Sequence, residues 1–184
     1  MKKFLIISGV FLLIVIGILA YVRLFYTKSF SPEGIATFKE GNVHIEVLYN
    51  RPYKKGREIF GELVPYDVVW RTGANEATIF KSNNDLLING QTLLAGDYSL
   101  WTIPSEQQWT VIFNSEAGQW GVDFNGMANR NAANDMLTVE VPPLKHDKVF
   151  EQFTISIEQV GEELELILLW DQTVIVVPML VAGS

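Results

Sequence analysis

The opening stretch MKKFLIISGVFLLIVIGILAYVR constrains this chain more than any other. Between Lys3 and Arg23 lies an uncharged, apolar run, residues 4–22. At a helical rise of about 1.5 Å per residue, that run is about 28 Å long, close to the roughly 30 Å hydrocarbon thickness of a bilayer. It predicts one N-terminal transmembrane helix, with residues 1–28 forming an anchor or uncleaved signal and residues 4–22 contacting the membrane. The alternative is a signal peptide that is cleaved to release a secreted domain. Such peptides have apolar cores of about 7 to 15 residues ending at a small-x-small site, whereas this run leaves through ILAYVRLFYTK, bulky and basic.

Flanking charge sets the orientation. Lys2, Lys3 and the amino terminus outweigh Arg23 and Lys28, and Tyr21, Phe25 and Tyr26 stand where interfacial aromatics belong. The N-terminus is therefore expected in the cytoplasm, and the rest of the chain in the periplasm or outside the cell. The absence of cysteine removes disulfides, thiolate metal sites, thiol nucleophiles and a lipidated-cysteine anchor together.

From residue 29 onward, ten Lys and Arg stand against 21 Asp and Glu, a net charge of −11. So acidic a body repels nucleic acid and anionic lipid headgroups, and both are set aside as partners. The local exception, RPYKKGR with Arg51, Lys54, Lys55 and Arg57, reads as a solvated turn.

Residues 29–36, SFSPEGIA, read as a linker, and residues 37–184 as the domain. VHIEVLY (43–49) alternates apolar and polar positions as a half-buried strand does. YDVVW (66–70) and ATIFK (77–81) read as two more strands. Asn89-Gly90 between apolar runs marks a type I′ hairpin, and GDYSLWTIP with QWTVIFN a second hairpin. LTVEV, FEQFTISIEQV, ELELILLW and TVIVVPM complete nine or ten segments spaced about 8 to 12 residues apart, with no helical crossover. The expected class is all-β, an antiparallel or barrel-like sandwich. Gly161 and Asp171-Gln172 are read as turns flanking the penultimate strand, and the last two segments as central in a sheet. DFNGMANRNAANDM reads as a long, mobile loop.

VVWRTGANEAT (68–78) is the candidate site. Strand alternation puts Trp70 in the core and Arg71 on the other face. Gly73 and Asn75 suit a tight hairpin loop over residues 72–75, with Arg71 and Glu76 paired across its mouth for about 0.2–1 kcal/mol. On that reading the stretch is a structural turn. On the functional reading Arg71, Asn75 and Glu76 converge with Arg57, Gln119 and Trp120 on a pocket for a small polar or carbohydrate ligand. Trp101, Trp109 and Trp120 then offer flat faces for a sugar ring.

Catalysis has little to stand on. His44 and His146 lack a partner motif, and zinc needs three or four histidine or cysteine ligands, so no catalytic residue, metal or cofactor is assigned. Asp123, Asn125 and Asp135 lack the spacing of an EF-hand calcium loop. Glu76 with Asp97 is the one carboxylate pair that suits a glycosidase. The leading reading is a non-catalytic binding or structural module of the cell envelope. Its alternatives are a carbohydrate-active hydrolase using Glu76, and an assembly component that pairs edge strands with a partner.

YNRPYKKGREIFGELVPYDVVWRTGANEAT, LLAGDYSLWTIP, EQQWTVIFN, QWGVDF and LLWDQTVIVVPM together resemble, in order, the bacterial domain of unknown function 2911 family over roughly residues 37–180. The resemblance implies an exported protein of a Gram-negative bacterium and implies no activity. The segment NGMANRNAAND reads as an insertion relative to that family's pattern, and the leader is more anchor-like.

Overall fold

The computed structural model describes residues 2–183. The apolar run forms helix α1 (Lys2–Tyr21), which passes through a π-helical turn (Val22–Tyr26) into a final turn α2 (Thr27–Phe30). Together they hold a 25-residue apolar helix, Ile6–Phe30, long enough to cross a membrane and with its apolar window unburied by the domain. The helix stops at Ser31-Pro32. Proline has no N–H to continue the ladder and pushes the residue before it out of the helical region, and Ser31 is extended at φ −146°.

Ten strands follow: β1 (Glu33–Glu40), β2 (Val43–Asn50), β3 (Thr78–Ser82), β4 (Leu86–Ile88), β5 (Gln91–Leu93), β6 (Gly96–Ile103), β7 (Trp109–Asn114), β8 (Asp135–Val141), β9 (Leu144–Val160) and β10 (Glu163–Val181). They form an antiparallel sandwich of two sheets, ordered β1-β2-β3-β6-β7-β8 and β5-β4-β10-β9. The expected all-β class holds. In β2 the alternation buries Ile45, Val47 and Tyr49. Asn89 and Gly90 take φ of 50° and 76°, as the hairpin between β4 and β5 requires.

Between the sheets, Phe60, Trp70, Trp109, Phe153 and Trp170 pack edge to face or stacked, with ring centroids 4.9 to 6.4 Å apart. Near them, the chain beyond β2 crosses from one sheet to the other. Phe153 N–H donates to Pro52 O (2.9 Å) and Lys54 N–H to Glu151 O (2.6 Å). This corner carries the site.

Four expectations change. Residues 29–36 are mostly regular structure, because the helix runs to Phe30 and β1 opens at Glu33, paired with Asn50. Residues 66–70 are not a strand: Asp67 has φ 59°, and Trp70 alone bridges Thr102, taking up the edge of β6 where β3 has ended opposite Leu100. Asp171 does not begin a turn. It bulges within the continuous β10 at φ 53°, its carboxylate held by Lys54 Nζ at 2.6 Å.

The asparagine-rich loop is tied down as well. Val122 bridges Ala128, and Asn131 caps a 3₁₀ turn, Ala132–Asn134, by accepting from Ala133 N–H.

Candidate functional site

The loop after Trp70 is built from its own groups. Thr72, Gly73 and Asn75 have φ of 53°, 152° and 59°. The buried Thr72 hydroxyl meets Thr102 Oγ1 at 3.1 Å, Thr78 Oγ1 donates to Thr72 O at 2.6 Å, and the Trp70 indole N–H donates to Gly73 O at 3.0 Å. Only glycine fits at position 73, since a Cβ there would stand 2.9 Å from Asn50 O. Gly121 N–H donates to Asn75 O (2.9 Å) and Ala77 N–H to Gln119 O (3.2 Å), binding the loop's exit to residues 119–121.

None of these bonds uses the Arg71 side chain. The expected Arg71–Glu76 pair is not formed. The positive φ at Asn75 and the bridge from Glu76 to Trp120 turn the two side chains to different sides of the loop. Glu76 Oε2 accepts from Asn50 Nδ2 at 3.0 Å, and its Oε1 lies 3.7 Å from Lys28 Nζ. The Arg71 guanidinium makes no hydrogen bond or ion pair among the described residues, and its Nε is buried without an acceptor. Burial pushes this guanidinium below the usual arginine range.

Arg71 lines a cavity of about 580 Å³ at the corner between the sheets. Much of its wall is apolar, including Leu63, Val68, Val69, Trp70, Trp170 and Met127, and it closes against Phe30 and Ser31 at the end of the N-terminal helix. Its charged lining is entirely cationic, from Lys55, Arg57 and Arg71. Arg57 Nε and Nη2 donate to Lys54 O (3.0 Å) and Tyr53 O (2.5 Å), and the Lys55 ammonium lies 5.2 Å from the Phe30 ring centre.

Of the six predicted residues, the cavity gathers Arg57 and Arg71. Asn75 reaches Asn50 Oδ1 at 3.5 Å beside Glu76, and Trp120 lies under the Arg23 guanidinium at 5.1 Å. Gln119 turns to Glu116 O (3.0 Å) and Ser99 Oγ (3.4 Å). Sequence reasoning missed Lys55 and the helix end. The available signal was the crowding of four cations into RPYKKGR within an acidic domain.

Other candidates separate. Trp101 and Trp109 are 0% and 2% exposed, so no sugar ring reaches them. Asp97 stands opposite Lys81, five residues on from Glu76. At about 3.3 Å per residue that is roughly 16 Å, beyond the about 5 to 9.5 Å at which glycosidase carboxylates act. Asp135 is held by Arg130 and by Asn114 Nδ2. Asp123 closes its own turn by accepting from Asn125 and Met127 N–H, and those bonds, Met127's foremost, hold its carboxyl below the usual range. Among the described residues no three His, Asp or Glu side chains gather to hold a metal.

Neither a curated protein nor a solved structure matches the chain. A family model described as protein of unknown function (DUF2911) matches residues 31–179, from the end of the helix to near the end of β10. That span takes in β1 to β9, all but the last two residues of β10, and Lys55, Arg57 and Arg71, and the chain therefore belongs to the DUF2911 family.

Proposed function

We propose that this protein is a non-catalytic binding module of the cell envelope, tethered by its N-terminal helix with Lys2 and Lys3 on the cytoplasmic side. Its ligand is a small molecule that carries an anion on an apolar body. One observation carries the reading: Arg71, partly buried in a largely apolar cavity, has no anionic partner among the described residues. A desolvated cation without a counter-charge is costly, and a guanidinium fork matches a carboxylate or phosphate through two parallel hydrogen bonds. An apolar cavity with a few convergent polar groups is the usual form of a small-ligand site. The small polar ligand expected from sequence thus becomes more specific, and the carbohydrate reading keeps only Trp120 as a stacking face.

The test is calorimetric titration of the full chain, held in nanodiscs of a zwitterionic lipid, with hexyl phosphate, hexanoate and hexyl glucoside. The two anions should bind and the glucoside should not, with Arg71→Gln weakening the anions about tenfold or more. Equal binding of the glucoside, or anion binding untouched by Arg71→Gln, would overturn the reading.

A further inference from the structure

We infer that the occupant of the Arg71 cavity is a phosphate-headed lipid drawn from the bilayer that the N-terminal helix enters, an inference that rests on the anion-binding reading above. Three independent observations support it.

The first is position. Phe30, the last residue of the apolar helix, and Ser31 line the cavity. A hydrocarbon core of about 30 Å uses about 20 helical residues, so a helix entering at Phe4 leaves it near Arg23. The seven residues from there to Phe30 add about 10 Å, against a headgroup layer of about 5 to 8 Å on each side. Phe30, and with it the cavity it lines, therefore stands at the outer edge of the headgroup layer. Helix and domain are joined across this junction by Lys28 on Glu76, Arg23 over Trp120 and Lys55 over Phe30.

The second is the rim. Leu63, Val68 and Met127 line the cavity while remaining exposed, and Phe124, in the same turn as Met127, is fully exposed. Apolar side chains gathered around one mouth are out of place in water and suit contact with acyl chains. The third is charge. Three of the ten cations beyond residue 28 line this one cavity, on a body whose net charge of −11 would otherwise repel an anionic headgroup. A largely apolar cavity with cations and an apolar rim, at the outer edge of the headgroup layer, matches an amphiphile better than a freely soluble anion.

The full chain in detergent micelles would be titrated with three probes: phosphatidylglycerol brominated on its acyl chains, a diacylglycerol brominated in the same way, and glycerol 3-phosphate. Bromine quenches nearby indoles, and Trp70 and Trp170 line the cavity. Brominated phosphatidylglycerol should quench saturably, about tenfold or more weakly in Arg71→Gln. Val68→Glu, which adds a carboxylate at an exposed position and leaves the core intact, should weaken it similarly.

If glycerol 3-phosphate, read by its relief of the brominated lipid's quenching, binds as tightly as the lipid, the lipid inference falls and the anion-binding reading stands. If the brominated diacylglycerol quenches equally, or if neither phosphate compound binds, both fall.

Discussion

The side chain of Arg71 lies against the backbone of Gly121 so closely that a Cβ on residue 121 would stand 2.0 Å from Arg71 Cδ and 2.8 Å from its Cβ. The glycine leaves the lane along which the arginine stem runs to the cavity. Because Arg71 Cβ is fixed by the backbone, a rotamer change alone does not relieve the contact. Gly121→Ala is expected to destabilise by about 1–3 kcal/mol, as overpacking does. Combined with Arg71→Ala, which removes Cγ and Cδ, it should cost less than the sum of the two single changes in denaturant unfolding.

Arg71 and Glu76 share no partner, so a double-mutant cycle between them should show additivity within about 0.5 kcal/mol. Glu76→Ala should destabilise by about 1 kcal/mol, because Asn50 Nδ2 loses its acceptor. Arg71→Met keeps an apolar stem and removes a partly buried, unpaired charge. In the absence of ligand it should leave the denaturation midpoint unchanged or raise it. A coupling above about 1 kcal/mol would mean that the two side chains meet after all.

At Gly73 two constraints coincide: φ is 152°, and a Cβ would lie 2.9 Å from Asn50 O, a backbone atom that has no rotamer to change. Gly73→Ala should cost about 1–3 kcal/mol, and more if the Asn50 contact forces β2 to move. The loss should appear as a lower thermal midpoint, with intact secondary structure by circular dichroism below it.

The exposed turn at Asp123 provides the pH test. Its carboxyl lies below the usual range because Met127 and Asn125 N–H donate to the charged form. A depressed folded-state pKa means that the turn's support is complete above the ordinary carboxylate range and is lost as pH falls through the lowered folded-state value. The protection factors of the Asn125 and Met127 amides, exchange rates corrected for the intrinsic effect of pH, should fall on acidification through that window. Asp123→Asn should show the lower protection at every pH.

Features set by neighbours in sequence could be read without a structure. The uncharged run forms the helix, Pro32 ends it, Asn89-Gly90 adopts the two positive φ angles of its hairpin, and the alternation in β2 buries Ile45, Val47 and Tyr49. Even Trp70 reaches the core as its alternation implied, although residues 66–70 are an irregular segment with a single bridge. The candidate site was legible only in part. Arg71 was picked out, but the Glu76 expected to pair with it is held by Asn50 and Lys28 instead.

The sequence by itself determined the class, the helix and most strands, and singled out Arg57 and Arg71, because side-chain period and turn conformation depend on positions a few residues apart. Tertiary structure alone decided which polar residues meet. Glu76 is satisfied by Asn50 and approached by Lys28, and Arg71 runs along Gly121 into a cavity closed by Phe30. Those partners lie about 26 to 50 residues away in sequence. They come together only where the chain crosses between sheets at residues 51–54 and the helix ends against that corner, and no local pattern encodes that closure.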